Sequence, residues 1–224
     1  MHVFVETNWL VDVVAPAHHQ KRTAVRLLER AKAGELTLHV PTICFTEARV
    51  VVNRGKFSPR TEANALRHYV RWARDEGKTT SEDANVVFRV VDQFESRLST
   101  EVGAVDSRLQ DVMDSPGLRA FALSEAMLSA SRDLALRDPA LESFDQAILA
   151  AILVRSGEVM AEHTVDRCFF CEKDHHLLPW DRNGDPRPTL RAMYDLHRVW
   201  VYDDWEMTEG PWDGWPEEPP PRSR

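Results

Sequence analysis

The amino-acid sequence predicts an α/β protein in which helices cover both faces of a parallel sheet. Four short segments consist almost entirely of apolar residues, which is typical of strands buried on both faces. Longer segments with apolar residues at three- and four-residue spacing separate them, and this is the helical pattern. Such helices are long enough to connect parallel strands. The four predicted strands are HVFV at 2–5, LTLHV at 36–40, RCFFC at 167–171 and RVWVY at 198–202.

A helix is predicted directly after the first strand. Its apolar part covers residues 9–14, and Thr7 or Asn8 can cap its first turn through a side-chain oxygen. Pro16 ends or kinks this helix, because proline lacks the backbone N–H that a helix interior requires.

Three further segments complete the first part of the chain. A second helix is predicted over 19–33, with Gly34 where a C-terminal cap belongs, and a third over 41–53 begins with a proline. From 58 to 139 the pattern is purely helical, and the turn sequences GKTTS and DSPG divide it. We interpret 58–139 as a two- or three-helix insertion; an ordinary helical part of the core is the open alternative.

The last part of the chain combines an apolar helix, two strands and a polar tail. The helix is predicted over 140–156 and to end at Gly157. Beyond the last strand the sequence becomes acidic and rich in proline and tryptophan. The predicted organisation is therefore one domain over 1–205, which includes the insertion, followed by a tail over 206–224.

Composition and charge exclude several classes of protein. The chain has 224 residues and a net charge of -8, which argues against a broad basic surface for non-specific nucleic-acid binding. No apolar segment approaches the roughly eighteen residues of a membrane span, and no signal-peptide pattern is present. Three cysteines do not suggest a disulfide framework. We expect a cytoplasmic protein that does not associate with membranes.

Five carboxylates stand at strand ends or on faces where a core requires apolar residues. Glu6 directly follows the first strand, and Glu172 and Asp174 follow the third. Glu47 and Asp145 lie on the apolar faces of predicted helices, near their starts. Ligands of doubly wound sheets bind outside the carboxyl ends of the strands, so we expect these side chains to meet there. For any single one, compensation of a helix dipole or a solvent-facing strand end is an equally good explanation.

Clustered oxygen ligands favour Mg²⁺ or Mn²⁺, whose usual role is phosphoryl chemistry. The sequence has no GxxxxGK[ST], GxGxxG or GxSxG motif. This argues against a P-loop, a dinucleotide-binding site and a serine nucleophile elbow. A zinc site is the alternative for the segment CFFCEKDHH, with Cys168, Cys171, His175 and His176 as ligands. Alternation along a strand places the two cysteines on opposite faces, and a second ligand pair is missing, so zinc is disfavoured.

Four segments resemble, in order, the acidic motifs of the PIN-domain nucleases. They are VFVETNWLVD, PTICFTEA, ESFDQAILAAIL and RCFFCEKDHHL. The resemblance covers roughly 2–50 and 140–178, and implies a three-layer parallel-sheet fold and a magnesium- or manganese-dependent ribonuclease. Glu6 departs from the more usual aspartate, and Cys171 replaces the usual small hydroxyl residue.

The resemblance also implies a role for each acidic residue. Glu6, Asp145 and a fourth carboxylate would hold the metal, and Glu47 would hold a second metal or act on water. The fourth carboxylate is Asp174 or Glu172. We favour Asp174, the shorter side chain just past the end of the strand, so the implied catalytic set is Glu6, Glu47, Asp145 and Asp174.

Residues for substrate and partners are expected around this set. Thr7 and Asn8 would lie at the rim of the site, and Arg49 is the expected contact to phosphate. RNA is the implied substrate, and an inhibitory protein or a second copy of the chain is the expected partner, because many compact members of the family are toxins held by a protein antitoxin. The alternative function is a non-catalytic PIN-fold scaffold that binds through the helical insertion and the tail.

Overall fold

The computed structural model describes residues 1–57, 60–137 and 141–207. Five strands form one sheet in the order β3-β2-β1-β4-β5, and every pairing is parallel. The predicted parallel α/β architecture is therefore confirmed. The strands are β1 His2–Phe4, β2 Thr37–Pro41, β3 Leu118–Phe121, β4 Cys168–Cys171 and β5 Val199–Tyr202.

Helices connect these strands, and together they contain most of the described residues. The first seven are α1 Thr7–Val14, α2 Arg22–Lys32, α3 Thr42–Val51, α4 Arg60–Asp75, α5 Ser81–Gly103, α6 Val105–Met113 and α7 Glu125–Arg137. The others are α8 Ser143–His163 and α9 Pro188–Leu196. A π-helical segment, Val52–Lys56, continues α3. Within the described ranges no helix is long and apolar enough to cross a membrane.

Two cysteines of β4 show that helices lie on both faces of the sheet. The Sγ atom of Cys168 is 3.8 Å from the carbonyl oxygen of Ser156 in α8. Cys171 is three residues further along, so its side chain points to the opposite face. There its thiol is close enough to Arg30 of α2 for that charge to influence its pKa, which burial raises.

The apolar core runs through the sheet and includes residues of α6, β3 and α7. The helix pair α4–α5 buries its own apolar side chains outside this continuous core. They are Ala63, Val70, Ala73, Ala84, Val91 and Leu98. The part of the chain between the second and third acidic motifs therefore has two components: a helix pair with its own small contact, and the core elements α6, β3 and α7.

The prediction that 58–139 is purely helical was wrong, because β3 lies within it. Leu118 and Ala120 of β3 are strong helix formers, and local propensity therefore favours the wrong structure. Pairing with β2 overrides that propensity, with Leu38 opposite Leu118 and Val40 opposite Ala120. Gly117 introduces the strand with a φ of +80°, which ends the preceding turn.

Two helix ends test the sequence predictions with opposite outcomes. Gly34 follows α2 with a φ of +78°, as the predicted C-terminal cap requires. The prediction that the apolar helix ends at Gly157 was wrong, because α8 continues to His163 and is capped by Thr164 at a φ of 53°. Helix α9 lies in a segment for which no helix was predicted. Most of the predicted tail, 208–224, lies outside the described residues.

Candidate functional site

The candidate site lies where the strand order reverses. The chain proceeds from β1 to β2 and β3, then continues on the other side of β1 with β4 and β5. Ligands of parallel α/β sheets bind at such a switch point, outside the carboxyl ends of the strands. Phe4 of β1 is opposite Phe170 of β4, and the same register continued by two residues brings Glu6 beside Glu172. Adjacent strands are about 4.8 Å apart, so the two side chains start as close neighbours.

Glu6 lies two residues after the end of β1 and is the N-cap of α1. Its Oε1 atom accepts a hydrogen bond of 2.7 Å from the backbone N–H of Asn8, so the cap is Glu6 rather than the predicted Thr7 or Asn8. The residue is only 3% exposed. Burial, with the charges of Glu47 and Asp174, raises the pKa of Glu6 to about 8, although the Asn8 amide and the Glu172 carboxyl favour the ionised form.

Glu172 is the most deeply buried of the acidic side chains, with an exposed fraction of 0%. Its Oε1 atom accepts hydrogen bonds from the backbone N–H groups of Lys173, at 2.6 Å, and Asp174. Its Oε2 atom is buried and has no hydrogen bond of acceptable geometry among the described residues. Burial and the neighbouring charge of Glu6 raise the pKa of Glu172 well above its usual value. A buried oxygen without a partner is costly, and it is an open position for a ligand.

Glu47 connects α3 to the start of α1. Its Oε2 atom accepts a hydrogen bond from the hydroxyl of Thr7. Cys44, three residues before Glu47 on the same helix, is fully buried. Burial and the charge of Glu6 raise the pKa of the Cys44 thiol well above its usual value, which places this neutral side chain beside the acidic group. The three-residue spacing between Cys44 and Glu47 was the signal in the sequence that could have placed Cys44 at this site.

Asp145 reaches the site from the first turn of α8. It is half-buried, and burial together with the charge of Asp174 raises its pKa to about 6, while His176 acts in the opposite direction. Asp174 lies in the loop after β4, where its Oδ1 atom accepts a hydrogen bond of 2.8 Å from the N–H of His176. Asp145 and the Asp174 loop therefore meet at the same edge of the sheet.

The structure brings five acidic side chains close enough for their charges to influence the pKa values of their neighbours in the group. They are Glu6, Glu47, Asp145, Glu172 and Asp174. It does not bring Arg49 to them. Arg49 lies two residues after Glu47, which is about 200° around the helix axis. Its guanidinium instead pairs with Asp106 at the start of α6, with an Nε–Oδ1 distance of 2.9 Å.

The donor set fits a hard divalent cation in chemistry, although a complete coordination geometry is not preformed. Among the described residues, no three His, Cys, Asp or Glu side chains are arranged to hold a metal ion. The donors are carboxylate oxygens, which Mg²⁺ and Mn²⁺ prefer, and Oε2 of Glu172 lacks a partner. For zinc, Cys168 and Cys171 face opposite sides of the sheet, and His175 and His176 are exposed.

Two basic residues, one in the loop that carries Asp174 and one that binds this loop, were not predicted from the sequence. In the sequence, Lys173 stands between Glu172 and Asp174. In the structure, its Nζ atom lies 5.2 Å from the centre of the Trp205 ring. Trp205 is itself fixed by a hydrogen bond of 2.9 Å from its indole N–H to Asp12. Arg187 hydrogen-bonds the loop that carries Asp174. The position of Lys173 was a signal in the sequence, whereas Arg187 is too distant along the chain to give one.

Comparison with known proteins provides no family for this chain. No protein-family model matches it, and no curated protein matches it. The interpretation of the site therefore depends on its residues and their geometry.

Proposed function

We propose that this chain is a divalent-metal-dependent ribonuclease with a PIN-like fold, and that it hydrolyses RNA phosphodiester bonds through its acidic residues. The observation that carries the proposal is the pair of buried carboxyls, Glu6 and Glu172, at the switch point of the sheet. Two buried carboxylates have lost their hydration and repel each other, so either protons or a bound cation must neutralise them. Oε2 of Glu172, which makes no hydrogen bond of acceptable geometry among the described residues, supports the same conclusion.

Four carboxylates are the expected cation ligands: Glu6, Asp145, Glu172 and Asp174. Glu172 is buried deepest and Asp174 lies nearer the surface, so both alternatives for the fourth position remain in the proposal. When bound, Mg²⁺ or Mn²⁺ supplies charge stabilisation for the phosphate and a more acidic water. Glu47 is held by Thr7 and supports the set from α3.

The remaining chemistry can be assigned to side chains of this chain. A water attacks phosphorus, the bond from phosphorus to O3′ breaks, and O3′ takes up a proton, which leaves a 5′-phosphate and a 3′-hydroxyl. Glu47, which is not among the four expected cation ligands, is the candidate to accept the proton of the water. Lys173, an exposed residue between Glu172 and Asp174 in the sequence, is the candidate to contact the phosphate. RNA as the substrate rests on the resemblance to the PIN-domain nucleases.

The direct test is cleavage of a mixed RNA preparation by the full chain with Mn²⁺, Mg²⁺ or EDTA. We expect cleavage with either metal, none with EDTA, and a loss of at least about 100-fold in Asp145→Asn. Glu29→Gln is the matched control, since Glu29 is an exposed acid on α2 that pairs with Lys32. Equal activity in the wild type and Asp145→Asn would contradict the proposal.

A non-catalytic scaffold of the same fold is the second candidate, and exposed apolar side chains on α4 and α5 favour it. Tyr69, Trp72 and Val90 are 62%, 43% and 58% exposed. Large exposed apolar groups of this kind often mark an interaction surface. A chain that cleaves no RNA with either metal, and forms a complex that Tyr69→Ser with Trp72→Ser abolishes, would favour the scaffold.

A further inference from the structure

The loop after β4 contains one hydrogen-bonded helical turn that begins at Asp174. The N–H groups of Leu177 and Leu178 both donate to the carbonyl oxygen of Asp174, at 3.0 and 3.2 Å. The carboxylate of Asp174 accepts from the N–H of His176 at 2.8 Å and so caps the amino end of the turn. The orientation of this carboxylate therefore depends on the integrity of the turn.

Arg187 holds the opposite, carbonyl end of the same turn. Its Nη1 atom donates to the carbonyl oxygens of His175, His176 and Leu178, at 3.0, 2.6 and 3.4 Å. The last carbonyls of a helical turn lack partners within it, and a positive charge is favourable at this end. The backbone N–H of Arg187 also donates to the carbonyl of Pro179 at 2.8 Å, which fixes where the guanidinium starts.

The same turn also orients Glu172. The N–H groups of Lys173 and Asp174, at its entry, both donate to Oε1 of Glu172. A continuous set of hydrogen bonds therefore leads from the Glu172 carboxyl, through the backbone of the turn, to the guanidinium of Arg187.

We infer that Arg187 is a positioning residue of the acidic site, which holds the turn after β4 so that Asp174 and Glu172 are oriented for cation binding. This inference rests on the proposed function. Arginine suits the role because its planar guanidinium presents several N–H donors in fixed directions, whereas lysine is a flexible point charge. A second anchor, the hydrogen bond of 2.8 Å from the Tyr194 hydroxyl to the Leu177 carbonyl, keeps the turn attached to α9 when Arg187 is replaced.

The test compares Arg187→Met and Arg187→Lys with Arg182→Met in the full chain. Arg182 is exposed in the same loop and is a matched control, because its loss removes a positive charge without touching the turn. Two quantities are measured: Mn²⁺ affinity without RNA, and amide hydrogen exchange over 174–178 without metal. Residues that orient metal ligands typically contribute 10- to 100-fold in affinity, so we expect a loss of about that size in Arg187→Met.

The expected pattern separates positioning from a general loss of structure. Arg187→Met speeds exchange over 174–178 and leaves the exchange of the sheet unchanged, Arg187→Lys falls between it and the wild type, and Arg182→Met matches the wild type. Asp145→Asn weakens Mn²⁺ binding without speeding exchange over 174–178. If Arg187→Met does not fold, Arg187→Lys carries the comparison.

Two results would overturn the inference, and they are distinguishable from each other. Wild-type Mn²⁺ affinity in a folded Arg187→Met protein, or in a folded Arg187→Lys protein if the methionine variant does not fold, would reject the positioning role while leaving the ribonuclease proposal intact. A wild-type chain that binds no Mn²⁺ would reject the proposed function and, with it, a role in cation binding. In that case, faster exchange over 174–178 would still identify Arg187 as the anchor of the turn alone.

Discussion

At the scale of one residue, Glu6 shows how a side chain of the candidate site lowers the folding stability of the metal-free protein. Its pKa in the folded chain, about 8, lies above the usual 4.5 because the side chain is buried among other acids. The folded chain therefore keeps a proton that the unfolded chain releases between these two values. By linkage, the stability of the metal-free protein falls as pH rises from about 4.5 to about 8.

Replacing Glu6 by glutamine should therefore stabilise the metal-free protein at high pH. A glutamine side chain cannot ionise, while its carbonyl oxygen can still accept the hydrogen bond from Asn8. In EDTA we expect Glu6→Gln to raise the free energy of unfolding by about 1–3 kcal/mol at pH 8 and by much less at pH 5. Urea unfolding at both pH values measures this, and added Mn²⁺ should stabilise only the wild type. The same difference between the proteins at pH 5 and pH 8 would argue against it.

His39 predicts the opposite dependence on pH, on the acidic side. Burial and the charge of His2 lower the pKa of His39 to about 3, below its usual 6.5. The unfolded chain therefore takes up a proton first, and stability is lost as pH falls from about 6.5 towards 3. Between pH 7 and pH 4.5, the free energy of unfolding should fall less in His39→Phe than in the wild type. We expect the two losses, measured by urea unfolding, to differ by about 1–3 kcal/mol. His68→Phe, at an exposed position on α4, should keep the wild-type dependence.

At the scale of the elements, the sequence predicted those strands whose local apolar pattern agrees with their packing in the fold. The segments at β1, β2, β4 and β5 are apolar because both faces of the sheet are covered, and all four were predicted. β3 is an edge strand with Arg119 exposed, and its residues favour a helix. Only its pairing with β2 decides its structure, and a single sequence does not contain that information. The end of α8 was missed for a related reason, since an exposed glycine such as Gly157 is tolerated within a packed helix.

Two glycines should respond to alanine with opposite signs. Gly117 has a φ of +80°, and a Cβ atom there would overlap the backbone carbonyl of Ala31 in α2. We expect Gly117→Ala to lower the free energy of unfolding by about 2–4 kcal/mol. Gly157 lies within α8 with open space around it, so Gly157→Ala should raise the free energy of unfolding by about 0.5–1 kcal/mol. Urea unfolding of both variants checks the pair, and a neutral Gly117→Ala would refute the close approach of β3 to α2.

At the scale of the whole molecule, the candidate site is assembled from distant parts of the chain by the order of the strands. The reversal between β1 and β4 brings Glu6 and Glu172 together across more than 160 residues of sequence. Their place at strand ends could be predicted, because it follows from local pattern. The depth of Glu172 and the anchoring of its loop by Arg187 could not, because they depend on packing between segments that no local pattern relates.

Among the described residues, both ends of the α4–α5 pair contact the connection between α1 and α2. The Phe57 ring, before α4, is 5.1 Å from the His19 ring in the connection between α1 and α2. Near the end of α5, Glu101 accepts a hydrogen bond of 2.7 Å from the N–H of Ala17 in the same connection. The two ends of the pair are therefore close together, and its buried residues lie outside the continuous core.

A chain in which a Gly/Ser linker replaces residues 60–100 should therefore still fold and bind Mn²⁺. Ten flexible residues have a root-mean-square reach of about 16–19 Å, which suits ends that meet at one connection. We expect a cooperative thermal transition by circular dichroism and wild-type Mn²⁺ affinity. Deleting 105–121 instead removes α6 and β3, and with them Leu109 and Leu118 of the core, so that chain should not fold. If the linker chain has no cooperative transition, the helix pair is part of the folding unit rather than an insertion into it.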